Sequence, residues 1–129
     1  MHITIPVSPG ELIDKITILE IKIEEFSDAA KLKNVQHEFS LLAQILNDEI
    51  KESLELKNLH AELKAVNKKI WDSENLVREY WNDDAYFVEG ARNSHYNNDE
   101  RARIKKAIND LLGSSITEEK THPAYERLQ

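Results

Sequence analysis

No proline stands between residues 10 and 122. The three in the chain are Pro6, Pro9 and Pro123. Proline removes a backbone donor and clashes with the preceding turn, so its absence over most of 129 residues permits long helices. Glycine is as scarce, with only Gly10, Gly90 and Gly113, and a chain of many short strands needs more turn residues than that. The expected class is all-α: an antiparallel helical hairpin or bundle of four to five helices, with coiled-coil-like packing and a short extended N-terminal arm. A single domain is expected over 1–129, divided into an arm (1–7), a helical bundle (8–112) and a polar tail (113–129).

Local signals place the helices. Residues 2–7 alternate apolar and polar side chains, and Pro6 restricts any strand there to an edge. In Ser8-Pro9-Gly10-Glu11, Ser8 suits a helix cap, Pro9 suits the first helical position and Glu11 completes a capping box. The first helix is predicted over about 9–27, with a heptad seam of Leu12, Ile16, Leu19, Ile23 and Phe26. Ile18 and Ile21 give it a second apolar face, which a fourth helix or a partner chain should cover.

Asp28 can cap a second helix over about 29–51, and Ser53 a third over about 54–82. Residues 82–86 read as a polar break, followed by a short helix over 87–96 weakened by Gly90. Asn98 is then the expected cap of a last helix over 99–112, with Gly113 closing it. In the tail, Ile116, Tyr125 and Leu128 are the docking points to expect.

Composition narrows the function. Seventeen Lys and Arg against 24 Asp and Glu give a formal charge of −7, which makes nucleic acid an unfavoured partner. With no cysteine there is no disulfide framework and no thiolate metal site. Mean hydropathy is −0.59, and no apolar run approaches the roughly 18 residues of a membrane span. Met1-His2-Ile3-Thr4 lacks the basic region and apolar core of a signal peptide, so a cytoplasmic protein with no membrane contact is expected.

Pro6–Lys22 (PVSPGELIDKITILEIK) resembles the opening of a small uncharacterised bacterial and phage family. The resemblance continues at Glu62–Asn67 with Trp71, at Tyr96–Asp99, at Lys105–Ser114 and at Glu118–Lys120, and so spans most of the chain. The family is a domain of unknown function, so the resemblance implies no activity. This chain departs from it at Gly90, where a larger apolar residue is usual, and at Thr121-His122.

Four clusters could carry chemistry. Glu24 and Glu25, with Asp28, and then Glu49 and Glu52 are loosely similar to the carboxylate pattern of helical nucleotide pyrophosphohydrolases, in which acids one turn apart share Mg²⁺. The plainer reading is a solvated acidic face. On the third helix, His60, Lys64, Asn67, Trp71, Glu74 and Arg78 recur at helical spacing along one stripe. There Trp71 could stack a sugar ring or base while Asn67 hydrogen-bonds it; otherwise the stripe is an ordinary polar flank. Glu11 and Asp14 lie on the first helix, where Asp14 borders the second apolar face and needs a partner such as Arg101 or Lys105. Arg101 and Lys105 share a face that either grips an anion or balances the acidic helices.

These readings favour a non-enzymatic helical interaction or scaffold protein without a cofactor, self-associating as a homodimer or docking another protein. Two alternatives stand beside it: an Mg²⁺-dependent nucleotide pyrophosphohydrolase-like enzyme, and a sugar- or sugar-nucleotide-binding accessory protein.

Overall fold

The computed structural model describes residues 1–125 and contains, among them, four helices and no strand. They are α1 (Pro9–Glu25), α2 (Ala29–Glu49), α3 (Leu54–Glu79) and α4 (Asp84–Leu112). Caps set their starts. Ser8 Oγ accepts from the Glu11 amide at 3.2 Å, Asp28 Oδ1 from Lys31 at 2.9 Å and Ser53 Oγ from Leu56 at 3.1 Å. The capping box at Ser8 is only half formed, because the Glu11 carboxylate turns to Lys105 and Lys15. Gly113 ends α4 in the left-handed conformation, and Ser114 N–H reaches back to the Asn109 carbonyl at 2.9 Å.

The polar break expected at 82–86 falls a few residues earlier, between Glu79 and Asp84, and the second break expected before Asn98 is absent. Asp83 caps α4, which then runs unbroken to Leu112, so Asn98 is an interior helical residue and no separate short helix exists. Tertiary packing explains this. A Cβ on Gly90 would lie 2.6 Å from Val77 Cγ2 and 3.3 Å from the Ser73 carbonyl oxygen. Gly90 therefore lets α3 and α4 approach closely at this point, and that contact offsets the roughly 1 kcal/mol by which glycine weakens a helix.

α1 is the centre of the molecule and packs on each of the other three helices, whereas α2 packs on α1 alone. Contacts between α1 and α4 pair Gly10 with Asn109 and Asp14 with Arg101, so these helices are antiparallel. Glu24–Lys64 and Glu25–Lys68 ion pairs show α1 and α3 running the same way. The core gathers Ile13, Leu56, Leu63, Ile104 and Ile108, with Leu46, Ile50 and Val66 packed around them.

The second face of α1 is covered by its own chain, which removes the reason given above for burying it against a partner. Ile21 is 1% exposed, Ile18 is half-buried, and Asp14 and Thr17 are buried beside α3 and α4. Apolar exposure falls elsewhere. Residues 1–7 belong to no helix or strand, and their Ile3 and Ile5 side chains are 79% and 64% exposed. Leu41 and Ile45 lie exposed on α2. After Gly113 the chain returns along α4, where the Tyr125 ring meets that of Tyr96 while Ile116 stays exposed; Leu128 lies outside the described residues.

Candidate functional site

Glu11, Asp14 and Thr17 are spaced three apart and so share one side of α1, which turns toward α3 and α4. Asp14 is 1% exposed, and its carboxylate is fully engaged. Arg101 donates Nε–H to Oδ1 at 2.9 Å and Nη2–H to Oδ2, forming a two-pronged salt bridge. Asn67 Nδ2 donates to Oδ1 at 2.9 Å and to Thr17 Oγ1 at 2.8 Å, while the Thr17 hydroxyl donates to the Asp14 carbonyl at 2.7 Å. One turn along α4, buried Lys105 reaches Glu11 at 2.7 Å, Glu118 at 3.3 Å and Asp14 at 3.8 Å.

Gly10 sets the α1–α4 spacing. A Cβ there would stand 2.6 Å from the Lys105 carbonyl oxygen, and the Gly10 N–H donates to Asn109 Oδ1 at 2.7 Å. The glycine thus lets the start of α1 lie directly on the backbone of α4.

The electrostatics are mutually reinforcing. Burial pushes the Asp14 carboxyl up, but hydrogen bonds from Arg101 and Asn67 and the charges of Arg101 and Lys105 outweigh it and hold the group below its ordinary value. The Lys105 hydrogen bond lowers Glu11. Its bond to Asp14 raises Arg101, and Lys105 rises because Glu11, Asp14 and Glu118 overcome its desolvation. Each of the four groups is driven further into its charged form.

Arginine has five N–H donors, and two of those on Arg101 are committed to Asp14. The three on the opposite side of the guanidinium have no acceptor among the described residues. Arg101 lines a cleft of 370 Å³ between α1, α3 and α4, within the size range of small-molecule sites. Ile18, Ile21 and Ile70 supply its apolar surface, and Trp71, Asn75, Glu74 and Arg78 its ring and polar groups. Phe26 backs Trp71, with ring centroids 6.2 Å apart, and Arg78 pairs with Glu74 at 2.8 Å.

The polar stripe on α3 divides in two. Its first half joins α1: His60 meets Glu20 at 2.6 Å, Lys64 meets Glu24 at 2.5 Å, and Asn67 meets Asp14. Burial raises Glu20, but His60 and Lys64 bring it below its usual value. The second half, Trp71, Glu74 and Arg78, borders the cleft. Asn67, Trp71, Asp14 and Arg101, read from separate segments of sequence, therefore converge, with Glu11 and Lys105 adjoining.

The acidic residues do not. Glu24 and Glu25 end α1 against Lys64 and Lys68, whereas Glu49 ends α2 and Glu52 follows it, paired with Lys57 at 3.7 Å. The length of α2, about 30 Å at 1.5 Å per residue, separates the two pairs. Among the described residues no three His, Asp or Glu side chains are grouped to hold a metal ion.

Sequence reasoning missed Thr17, Asn75, Gly10 and Glu118. Thr17 lies one turn beyond Asp14, and Gly10 lies in the first turn of a helix, so both left local traces. Glu118 arrives from the returning tail, which has no periodic pattern.

These features define a class: an all-helical protein built on a central helix, with a buried salt bridge supporting a small cleft. Residues 2–125 match a family of unknown function, DUF6165, and the chain belongs to that family. No curated protein and no solved structure matches the chain. No helix among the described residues is long and apolar enough to cross a membrane.

Proposed function

We propose that this protein is a non-catalytic binding module whose helical scaffold presents the Arg101–Trp71 cleft to a hydroxyl-rich, sugar-type group. Arg101 carries the proposal: one side of its guanidinium is fixed by a buried carboxylate, the other has unspent donors, and the residue lines a cleft that Trp71 also lines. The cleft's charges are internally balanced, Arg101 by Asp14 and Arg78 by Glu74, which favours uncharged hydroxyls over a free anion. Asn75 adds an amide able to donate and accept, and Trp71 an apolar ring face for sugar C–H groups. Binding without reaction fits the titration behaviour. Asp14 and Glu11 are lowered while Arg101 and Lys105 are raised, away from the near-neutral values that proton-transfer groups need.

The test is tryptophan emission in a Trp81→Phe background, which leaves Trp71 as the reporter, titrated with monosaccharides, disaccharides and sugar nucleotides. A saturable change that Arg101→Met abolishes is expected. Unchanged emission with every saccharide would sink the reading.

Self-association is a second reading, supported by exposed Ile3 and Ile5 in the N-terminal segment and by exposed Leu41 and Ile45 on α2. Sedimentation should then show a concentration-dependent homodimer that deletion of residues 2–7 makes monomeric. A monomer at every concentration would remove this reading.

A further inference from the structure

The segment following α4 folds back along the helix and borders a second, half-open cavity, separate from the cleft. Glu118 meets Lys105 at 3.3 Å; farther on, Tyr125 donates its hydroxyl to Asp99, and its ring lies 5.6 Å from that of Tyr96 between centroids. The cavity between segment and helix measures 650 Å³. Arg92 and His95 line it from α4, and Lys120 and His122 from the returning segment.

In a chain of formal charge −7, two cationic side chains, Arg92 and Lys120, and two imidazoles, His95 and His122, border one cavity. Asp99 is the single carboxylate among the described lining residues, and it already accepts the Tyr125 hydroxyl. Lys120 has Glu118 at 3.7 Å, whereas Arg92, His95 and His122 have no hydrogen-bond or ion-pair partner among the described residues. A guanidinium with unspent donors and two imidazoles around one half-open cavity are a donor set suited to an anion, and the flat fork of a guanidinium matches phosphate oxygens in pairs. Inorganic phosphate would fill a small part of 650 Å³, which leaves room for an organic group beside the Tyr96 and Tyr125 rings.

We infer that the cavity between α4 and the returning C-terminal segment binds a small organic phosphate monoester, with Arg92, His95 and His122 meeting the phosphate. The site is independent of the cleft: it uses other residues, and its Arg92 is unpaired where the cleft's charges are paired.

The experiment is an amide NMR titration of the full chain with three separate probes: inorganic phosphate, ribose 5-phosphate and ribose. Ribose 5-phosphate should shift Arg92, His95 and His122 saturably and bind at least about ten-fold more tightly than inorganic phosphate, while ribose leaves these residues unmoved. Arg92→Glu and, separately, His122→Ala should each weaken phosphate-ester binding about ten-fold without changing the melting temperature, since both side chains are exposed. The inference is overturned if ribose 5-phosphate binds no more tightly than inorganic phosphate, if both variants bind as the parent does, or if the shifts fall on Arg101 and Trp71 instead.

Discussion

Arg101 and Asp14, 87 residues apart in the chain, are joined by two parallel hydrogen bonds, one of them Nε to Oδ1 at 2.9 Å. The carboxylate is buried and the guanidinium is partly open, with side-chain exposures of 1% and 31%. The pair therefore ties the first helix to the last and fixes a donor group at the wall of the cleft.

Removing one partner should harm folding more than removing both. Asp14→Ala leaves Arg101 and Lys105 without their buried counter-charge, a situation that typically destabilises by about 3–5 kcal/mol. The double variant Asp14→Leu with Arg101→Met replaces the pair by apolar groups and should lose less than the Asp14→Ala single. Urea unfolding of the parent and these variants checks this; a double variant as unstable as the sum of both single losses would contradict it.

Stability should fall on acidification. Asp14, Glu11 and Glu20 have folded-state values below their ordinary 3.8, 4.5 and 4.5. Their contribution is complete above those ordinary values and is lost as pH drops through the lowered ones. Unfolding free energy measured by urea should therefore be level from pH 7 to about 5 and decline below about 4. In Asp14→Asn the acid decline should be shallower.

Gly90→Ala should destabilise although alanine is the better helix former. The new methyl meets Val77 Cγ2 at 2.6 Å, and overpacking of this kind costs about 1–3 kcal/mol, against the roughly 1 kcal/mol that alanine gains in propensity. Adding Val77→Ala removes the obstructing methyl and should recover part of the loss. Thermal unfolding of the single and double variants measures both effects; a Gly90→Ala protein more stable than the parent would show that α3 and α4 are not in close contact there.

Local chemistry made much of the fold legible. Ser8, Asp28, Ser53 and Gly113 mark helix ends because a cap involves only neighbouring backbone groups. The continuity of α4 was hidden, since Gly90 reads as a helix breaker until Val77 and Ser73 are seen against it. For Asp14, burial demanded a cation, and the Arg101–Lys105 row offered the matching pair on one face. The meeting of Trp71 with that row was not legible, because periodicity gives a helix face and says nothing about which helix crosses it. The acidic spacing was ambiguous for the same reason: whether Glu24 and Glu25 meet Glu49 and Glu52 depends on where α2 carries the chain, and they stand at its two ends.

The most direct measurement is side-chain nitrogen NMR of Arg101 during a saccharide titration with a ligand that alters Trp71 emission. Before ligand, Arg101 Nε–H should be a sharp, slowly exchanging signal, as expected of a guanidinium fixed by Asp14. On binding, the Nη signals should shift while Nε stays bonded to Asp14. An Arg101 Nε–H in rapid exchange before ligand, or Nη signals unmoved at saturation, would contradict the account of this cleft.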